Sequence, residues 1–276
     1  MTASPSSSSS SSSPSPRPEP AAHTARAHSF NAAAAQYAAN RPSYPPALFD
    51  AVEEFAGRSL AGAKVADVGA GTGISTVLLR DRGAHVLAVE PGPGMAAEFR
   101  RVHPGLPIVR GSGDALPLAD ASLDFLTYAQ SWHWTDPDRS VPEALRVLRP
   151  GGALALWWNT EALDVPWIEA AARRTERFLG LDPVVERNGS GARAAHSLNA
   201  DPAGRLSFER GQVRWSRNVP LDTHLANVGS HSAFLVLGEE ATAAFFAEER
   251  EHLLQTFPDG IVEETYVVEL LVATRT

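Results

Sequence analysis

Short apolar runs alternate along this chain with stretches whose apolar residues recur every three or four positions. Lys64-Val65-Ala66-Asp67-Val68, His85-Val86-Leu87-Ala88-Val89, Pro107-Ile108-Val109-Arg110, Leu123 to Ala129 and Ala153 to Trp158 are such runs, bounded by Gly, Pro or acidic residues. That pattern reads as strands buried on both faces. Between them, Pro46 to Ala56 sets Leu48, Phe49, Val52 and Phe55 on one face and stops at Gly57, as an amphipathic helix does. Ile74 to Arg82 carries Val77, Leu78 and Leu79, stops at Gly83 and has Thr72 ahead of it, which reads as a helix with a glycine C-terminus and a threonine N-cap. Ser140-Val141-Pro142-Glu143 has the form of a capping box opening a helix that ends near Leu148. Arg149-Pro150-Gly151-Gly152 then turns the chain into the fifth run. Strand and helix in strict alternation predict an α/β protein with a doubly wound, mostly parallel sheet.

Beyond Asn159 the alternation loosens. Val165 to Leu179 reads as a helix, residues 182–211 as a Gly-, Arg- and Ala-rich insertion with no assignable element, and Gln212 to Ser216 as a half-buried strand. Leu221 to Val228 and Glu239 to Phe257 look helical, the second with Phe246, Leu253 and Phe257 on one face. Pro258-Asp259-Gly260 is a turn before a last apolar strand, Val267 to Ala273. At the other end, residues 1–27 are Ser, Pro and Ala with little else. Such a segment lacks the apolar surface to offset the entropy of ordering, and it lacks the apolar centre of a secretory signal. The expectation is a disordered tail over 1–27 and one domain over 28–276, with its ligand-binding core at about 60–160.

Composition narrows the function. Hydrophobic residues make up 43% of the 276, enough for a sizeable core, and the formal charge of −8 disfavours nucleic acid as the main partner. With Cys 0 there is neither a disulfide framework nor a thiolate metal site. No apolar run approaches the roughly 20 residues of a membrane span. A cytoplasmic protein acting on a small molecule is the expectation, without nucleic-acid, membrane or metal partners; nothing in the pattern sets an oligomeric state.

The chemistry concentrates at the end of the first strand. Gly69, Ala70, Gly71, Thr72 and Gly73 follow Asp67 there, a glycine turn between strand and helix where a ligand is placed in doubly wound sheets. The dinucleotide fingerprint G-x-G-x-x-G does not fit: starting at Gly69 the sixth position is Ile74, and starting at Gly71 it is Thr76. A carboxylate beside the turn disfavours a pyrophosphate and suits a cationic ligand. Glu90, ending the second strand, is placed to accept from ribose hydroxyls. D-x-G-x-G-x-G resembles the first motif of the class I S-adenosylmethionine-dependent methyltransferases. Gly113-Asp114-Ala115 with Leu116-Pro117-Leu118 is similar to that family's second cofactor motif, and Ala129-Gln130 with His133-Trp134 to the A-Q-x-x-H-W of its type 11 group. Tyr37, Arg41-Pro42 and Tyr44-Pro45 resemble the N-terminal segment of that group, including enzymes like trans-aconitate methyltransferase, and Ser230-His231-Ser232 resembles, weakly, a segment beside the acceptor pocket.

The resemblance implies a Rossmann-like, seven-stranded sheet with an antiparallel edge strand and S-adenosyl-L-methionine as cofactor. Its site residues would be Tyr37, Asp67, Gly69, Ala70, Gly71, Gly73, Glu90, Asp114, Ala115 and Gln130 for the cofactor. Arg41, Trp132 and Trp134 would border a small-molecule acceptor, and His133 is the candidate catalytic residue, against the alternative of a structural histidine. Two other classes stand beside this reading: an NAD-dependent oxidoreductase, opposed by the glycine spacing and by the lack of a Y-x-x-x-K pair, and a catalytically silent cofactor-binding protein. Arg41 offers a fork for a carboxylate, so a small carboxylic acid is the expected acceptor.

Overall fold

The structure, a computed structural model, describes residues 40–180 and 200–276. The Ser/Pro-rich 1–27 segment, Tyr37 and most of the 182–211 insertion lie outside the described residues. The elements run α1 (Pro46–Ala56), β1 (Lys64–Val68), α2 (Ile74–Asp81), β2 (His85–Glu90), α3 (Pro93–Val102), β3 (Ile108–Arg110) and β4 (Leu123–Ala129). A short 3-10 turn follows at Trp132–Trp134, then α4 (Pro137–Val147), β5 (Leu148–Glu161), α5 (Pro166–Phe178), β6 (Glu209–Pro220), α6 (Leu221–Gly229), α7 (Ser232–Leu237), α8 (Glu239–Thr256) and β7 (Ile261–Thr274).

The seven strands form one sheet in the order β3-β2-β1-β4-β5-β7-β6. The first five are parallel, with Val65 opposite both Val86 and Phe125, while β7 runs antiparallel between β5 and β6. This is the mixed α/β sheet with an antiparallel edge that the pattern implied. The two late strands are joined through α6, α7 and α8 rather than by a tight turn.

Alternation along the strands divides the core. Val65, Phe125, Ala153, Ala155 and Trp157 pack with Leu48, Phe49 and Val52 of α1 and Leu79 of α2. Ala66, Val68, Leu126, Tyr128, Leu154, Leu156 and Trp158 pack on the opposite face with Val141 and Ala144 of α4. Both faces are covered, which is why the strands read as continuous apolar runs.

Three local expectations are corrected. Thr72 does not cap α2; Gly73 does, through its backbone, and no side chain bonds that end. Ser140 and Glu143 do not form a capping box. The helix is capped four residues earlier at Asp136, whose side chain accepts from the Asp138 N–H, and Ser140 lies inside it donating to the Asp136 carbonyl. The Arg149–Gly152 signal does not separate helix from strand but is looped out within β5, so that Leu123 faces Leu148 while Phe125 faces Ala153. Pro and Gly mark a bulge there rather than a reversal.

Candidate active site

The strand order reverses between β1 and β4: β2 and β3 build outward from one, β5 from the other. In such sheets a ligand lies in the crevice outside the carboxyl ends at that point. The glycine turn, Glu90, residues 130–134 and Asn159 all sit at those ends.

The three glycines have different reasons. Gly69, at φ +66°, donates its N–H to the Val89 carbonyl at 2.8 Å, and a Cβ there would stand 2.5 Å from Ser131 Cβ. Gly73, at φ +98°, leaves no room either, its Cβ position lying 2.7 Å from the His103 ring and 2.8 Å from Phe99. Gly71, at φ +57°, would meet nothing within 4 Å. The outer two let β4 and α3 approach; the middle one faces open space.

Asp67 does not face that space. It is fully buried beneath the turn, with Oδ2 accepting from Thr76 at 2.7 Å and Oδ1 from Thr127 at 3.0 Å. Burial pushes its carboxyl up to about 6 despite those donors, and the nearby Glu90 adds to the rise. Its contribution to a ligand is through space, and its contacts tie β1, α2 and β4 together. Glu90 grips the rim: Oε2 accepts from the Gly71 N–H at 2.9 Å and Oε1 from the Gly92 N–H at 2.6 Å. Burial raises its carboxyl above the usual range, and the two backbone donors work against that.

Asp114 stands half-buried, with Oδ1 accepting from the Asp136 N–H at 2.9 Å, and burial raises its carboxyl too. Ala115 beside it is exposed. Their loop is stitched to α4 by Glu143, which accepts from the Leu116 N–H at 2.6 Å, and by Arg146, which donates to the Leu116 and Leu118 carbonyls. This is the role Glu143, expected in a capping box, takes instead.

After β4 the chain bends at Gln130, which holds φ +56°, a left-handed conformation costly for a non-glycine and found where structure over-determines it. Its side chain donates to the Asn159 carbonyl at 3.1 Å. Ser131 Oγ donates to the Val68 carbonyl at 2.6 Å, tying the bend to β1. Trp132 does not wall an open pocket as expected. It is 2% exposed, edge-on to Tyr128 at 4.7 Å, with its indole N–H donated to the Ala200 carbonyl. Its size and apolarity drew it into the core. His133 and Trp134 are half-buried with ring centroids 4.9 Å apart, and His133 Nδ1 accepts from Trp158 Nε1 at 3.3 Å.

The segment ahead of α1 is fastened to this end of the sheet. Asn159 Nδ2 donates to the Ser43 carbonyl at 3.1 Å and its Oδ1 accepts from Trp215 Nε1 at 3.0 Å. Arg217 reaches the Asn40 carbonyl while its Nε holds buried Glu264, and Arg41 Nη2 donates to the Ser230 carbonyl at 3.2 Å. Tyr44 packs edge-on to Trp157 at 6.0 Å. With Gly69, Ala70, Gly71, Thr72, Ile74, Ser75 and Ala129 it lines a small open cleft. Asn159, Ser131, Thr76 and Thr127 were not singled out in the sequence; strand register sets Thr127 opposite Asp67, and the others arrive from the end of β5, the bend after β4 and the first turn of α2. Among the described residues no group of His, Asp or Glu is placed to hold a metal, and no helix is long and apolar enough to cross a membrane.

Comparison with known proteins agrees with this geometry. A family profile described as a methyltransferase domain matches residues 66–156, from β1 into β5. An uncharacterized methyltransferase of Mycobacterium tuberculosis (strain ATCC 25618 / H37Rv) is 36% identical over 204 residues, covering 74% of this chain and 76% of that protein. A demethylmenaquinone methyltransferase of Beutenbergia cavernae is 38% identical over 107 residues, 38% of this chain and 43% of its own length. Among solved structures, a putative type II methyltransferase from Anaeromyxobacter dehalogenans superposes with a TM-score of 0.61 at 23% identity, covering 85% of this chain and 97% of that one. Likeness to trans-aconitate methyltransferase is not among these findings. Sheet order, the turn beneath the crevice and the mycobacterial relative converge: the chain belongs to the class I S-adenosylmethionine-dependent methyltransferases.

Proposed function

We propose that the protein binds S-adenosyl-L-methionine in the crevice over the glycine turn and methylates a small-molecule acceptor, a carboxylic acid being the favoured class. The observation that carries the cofactor reading is the cleft itself. Gly71 leaves open the space a Cβ would fill. The hydroxyl of Thr72, a 3% exposed lining residue, has no hydrogen-bond partner among the described residues. A buried hydroxyl without a partner is uncommon in native proteins and is accounted for by a water, an ion or a polar ligand. The residues present therefore fit such a group, which supplies an electrophilic methyl on a cationic sulfonium.

In this reading Glu90 and Asp114 accept hydrogen bonds from the ligand's hydroxyl and amino donors, and Gln130, held by Asn159, fixes the bend beside them. Tyr37 and the Gly69, Ala70 and Gly73 backbone complete the cofactor set, with Ala115 beside Asp114. Buried Asp67 adds negative potential from below. On the acceptor side, Arg41 orients an anionic oxygen, and Trp134 with His133 excludes water. Trp132 supports these two from the core rather than touching the acceptor. The protein's main task is alignment, which can supply about 7–11 kcal/mol. An acceptor that arrives ionised needs no general base.

Isothermal titration with S-adenosylmethionine and with NADH tests the cofactor. Binding of the first is expected, weakened about ten- to a hundredfold in Glu90→Ala by loss of a hydrogen bond to a charged group. Tight NADH binding with none for S-adenosylmethionine would sink the assignment. Methyl-labelled S-adenosylmethionine offered with small acids, phenols and amines tests the acceptor class, and transfer to phenols or amines alone overturns the carboxylate reading.

A further inference from the structure

We infer that Asn159 is a positioning residue, a latch that holds the segment ahead of α1 against the glycine-turn cleft, and that Trp215 sets it by orienting its amide. What the latch does to a ligand rests on the methyl-transfer reading above; that it fastens the segment does not. The last pair between β4 and β5 is Ala129 with Trp157. Beyond it β5 continues beside β7, where Asn159 faces Val268. The Asn159 carbonyl accepts from Gln130 Nε2 at 3.1 Å, so its backbone is tied to the bend after β4 while its side chain serves other partners. On the far side of β7, Trp215 of β6 faces Tyr266 and stacks on it with ring centroids 5.4 Å apart. Asn227 of α6 donates to the Tyr266 hydroxyl at 3.0 Å. The indole is thereby held by a cross-strand pair, and it reaches Asn159 Oδ1 at 3.0 Å.

The chemistry of that contact fixes the rest. An indole nitrogen can only donate, so the amide turns its oxygen toward Trp215 and its nitrogen away. The nitrogen then meets the Ser43 carbonyl at 3.1 Å as a donor. The same segment is held upstream, where Arg217 Nη2 donates to the Asn40 carbonyl and Arg41 Nη2 to the Ser230 carbonyl, both at 3.2 Å. Pro42 is buried, and Pro42 and Pro45 fix their own φ on either side of Ser43. A stretch with so little backbone freedom transmits the Ser43 contact to its neighbour Tyr44. Tyr44 is the lining residue of the cleft that this segment supplies; the others come from the β1–α2 turn, the first turn of α2 and the end of β4. The antiparallel strands β6 and β7 therefore do more than close the sheet. Through Asn159 they set the one wall of the cleft that is not part of the parallel framework.

The test uses the full chain, first without ligand. The sequence has Cys 0, so Ser43→Cys, at an exposed position of the segment, supplies a single thiol for a nitroxide label. Its electron spin resonance spectrum is expected to be that of an immobilised label. Asn159→Asp keeps the size of the side chain and the acceptor for Trp215 but sets an oxygen against the Ser43 carbonyl. Trp215→Phe keeps a ring on Tyr266, adds no charge and removes only the N–H that orients the amide. Both are expected to sharpen the spectrum. Arg214→Ala, which breaks an exposed ion pair with Asp164 on the same strand, is expected to leave it unchanged. A mobile label with Asn159 intact, or an immobile one in Asn159→Asp, overturns the latch; if Asn159→Asp does not fold, the Trp215→Phe spectrum decides. In unlabelled chains, S-adenosylmethionine is expected to bind about two- to tenfold more weakly in both variants, as loss of one hydrogen bond predicts. Its KM is expected to rise by the same factor, with kcat on the best acceptor of the labelled panel held within about threefold. Unchanged affinity in both variants, or a fall in kcat with KM unchanged, overturns the ligand-holding role. Absence of S-adenosylmethionine binding by the wild type would refute the methyl-transfer reading and leave the spectra standing.

Discussion

Replacing Asp67 by Asn is expected to change how stability depends on pH more than it changes stability at any one pH. The side chain is fully buried, and two threonine hydroxyls donate to it at 2.7 and 3.0 Å. Those donors favour the ionised form, but desolvation outweighs them and Glu90 opposes ionisation further, so the folded carboxyl rises from 3.8 to about 6. A shift of about two units corresponds to roughly 3 kcal/mol. The sign follows from proton counting. Between pH about 4 and 6 the folded chain still holds a proton that the unfolded chain has released, so stability falls as pH rises through that window. Below it the full contribution is present; above it none is left. Asn cannot titrate. The difference in unfolding free energy, Asn variant minus wild type, is therefore expected to grow by about 3 kcal/mol in the variant's favour between pH 4 and 7 and to be level above that. Loss of the Asp67 charge also eases Glu90, whose carboxyl is raised by burial, which acts in the same direction. Urea unfolding followed by tryptophan fluorescence at each pH gives the two curves. Curves that stay parallel, or a difference that shrinks with rising pH, refute the argument that burial dominates at this carboxyl.

Four further substitutions test the site. Gly69→Ala forces a Cβ to within 2.5 Å of Ser131 at a positive φ, and a loss of about 3 kcal/mol from overpacking and left-handed strain is expected in denaturant unfolding. Gly71→Ala has the same backbone strain and no clash, so about 1 kcal/mol is expected in stability but a far larger loss of S-adenosylmethionine affinity by calorimetry. Equal effects of the two substitutions on binding would contradict the open face assigned to Gly71. Glu143→Ala removes the acceptor of the Leu116 N–H and is expected to lower stability by about 2 kcal/mol, with a parallel loss of affinity as the Asp114 loop loosens. His133→Asn is expected to reduce turnover modestly and to leave the rate flat between about pH 6 and 8, where an ordinary histidine titrates; a wild-type rate rising through that window and abolished by the substitution would make His133 a base.

What was legible in the sequence follows from what each signal is made of. The five parallel strands and α1 were readable because burial on both faces writes an uninterrupted apolar run, and because Gly57 and Gly83 close their helices through positive φ that other residues avoid. The Gly69–Gly73 turn between β1 and α2 was readable because spacing is a local property. Roles that depend on partners far along the chain were not. Asp67 looked like a carboxylate facing a ligand, but its neighbour Thr127 lies 60 positions on and only β1–β4 register places it there. Trp132 and Trp134 are two residues apart and indistinguishable by type, yet one is 2% exposed and the other half-buried, because a 3-10 turn points alternate rings to opposite sides. Ser140 and Glu143 matched a capping box by spacing alone; what decided the helix start was Asp136, a competing cap four residues earlier with Pro137 next in the first turn. The same limit governs the acceptor. The end of the crevice over the glycine turn is built from contiguous motifs, whereas Arg41 ahead of α1, Asn159 of β5 and Ser230 after α6 come together from three separate parts of the chain. A substrate pocket assembled that way is a property of packing and leaves no contiguous motif to read.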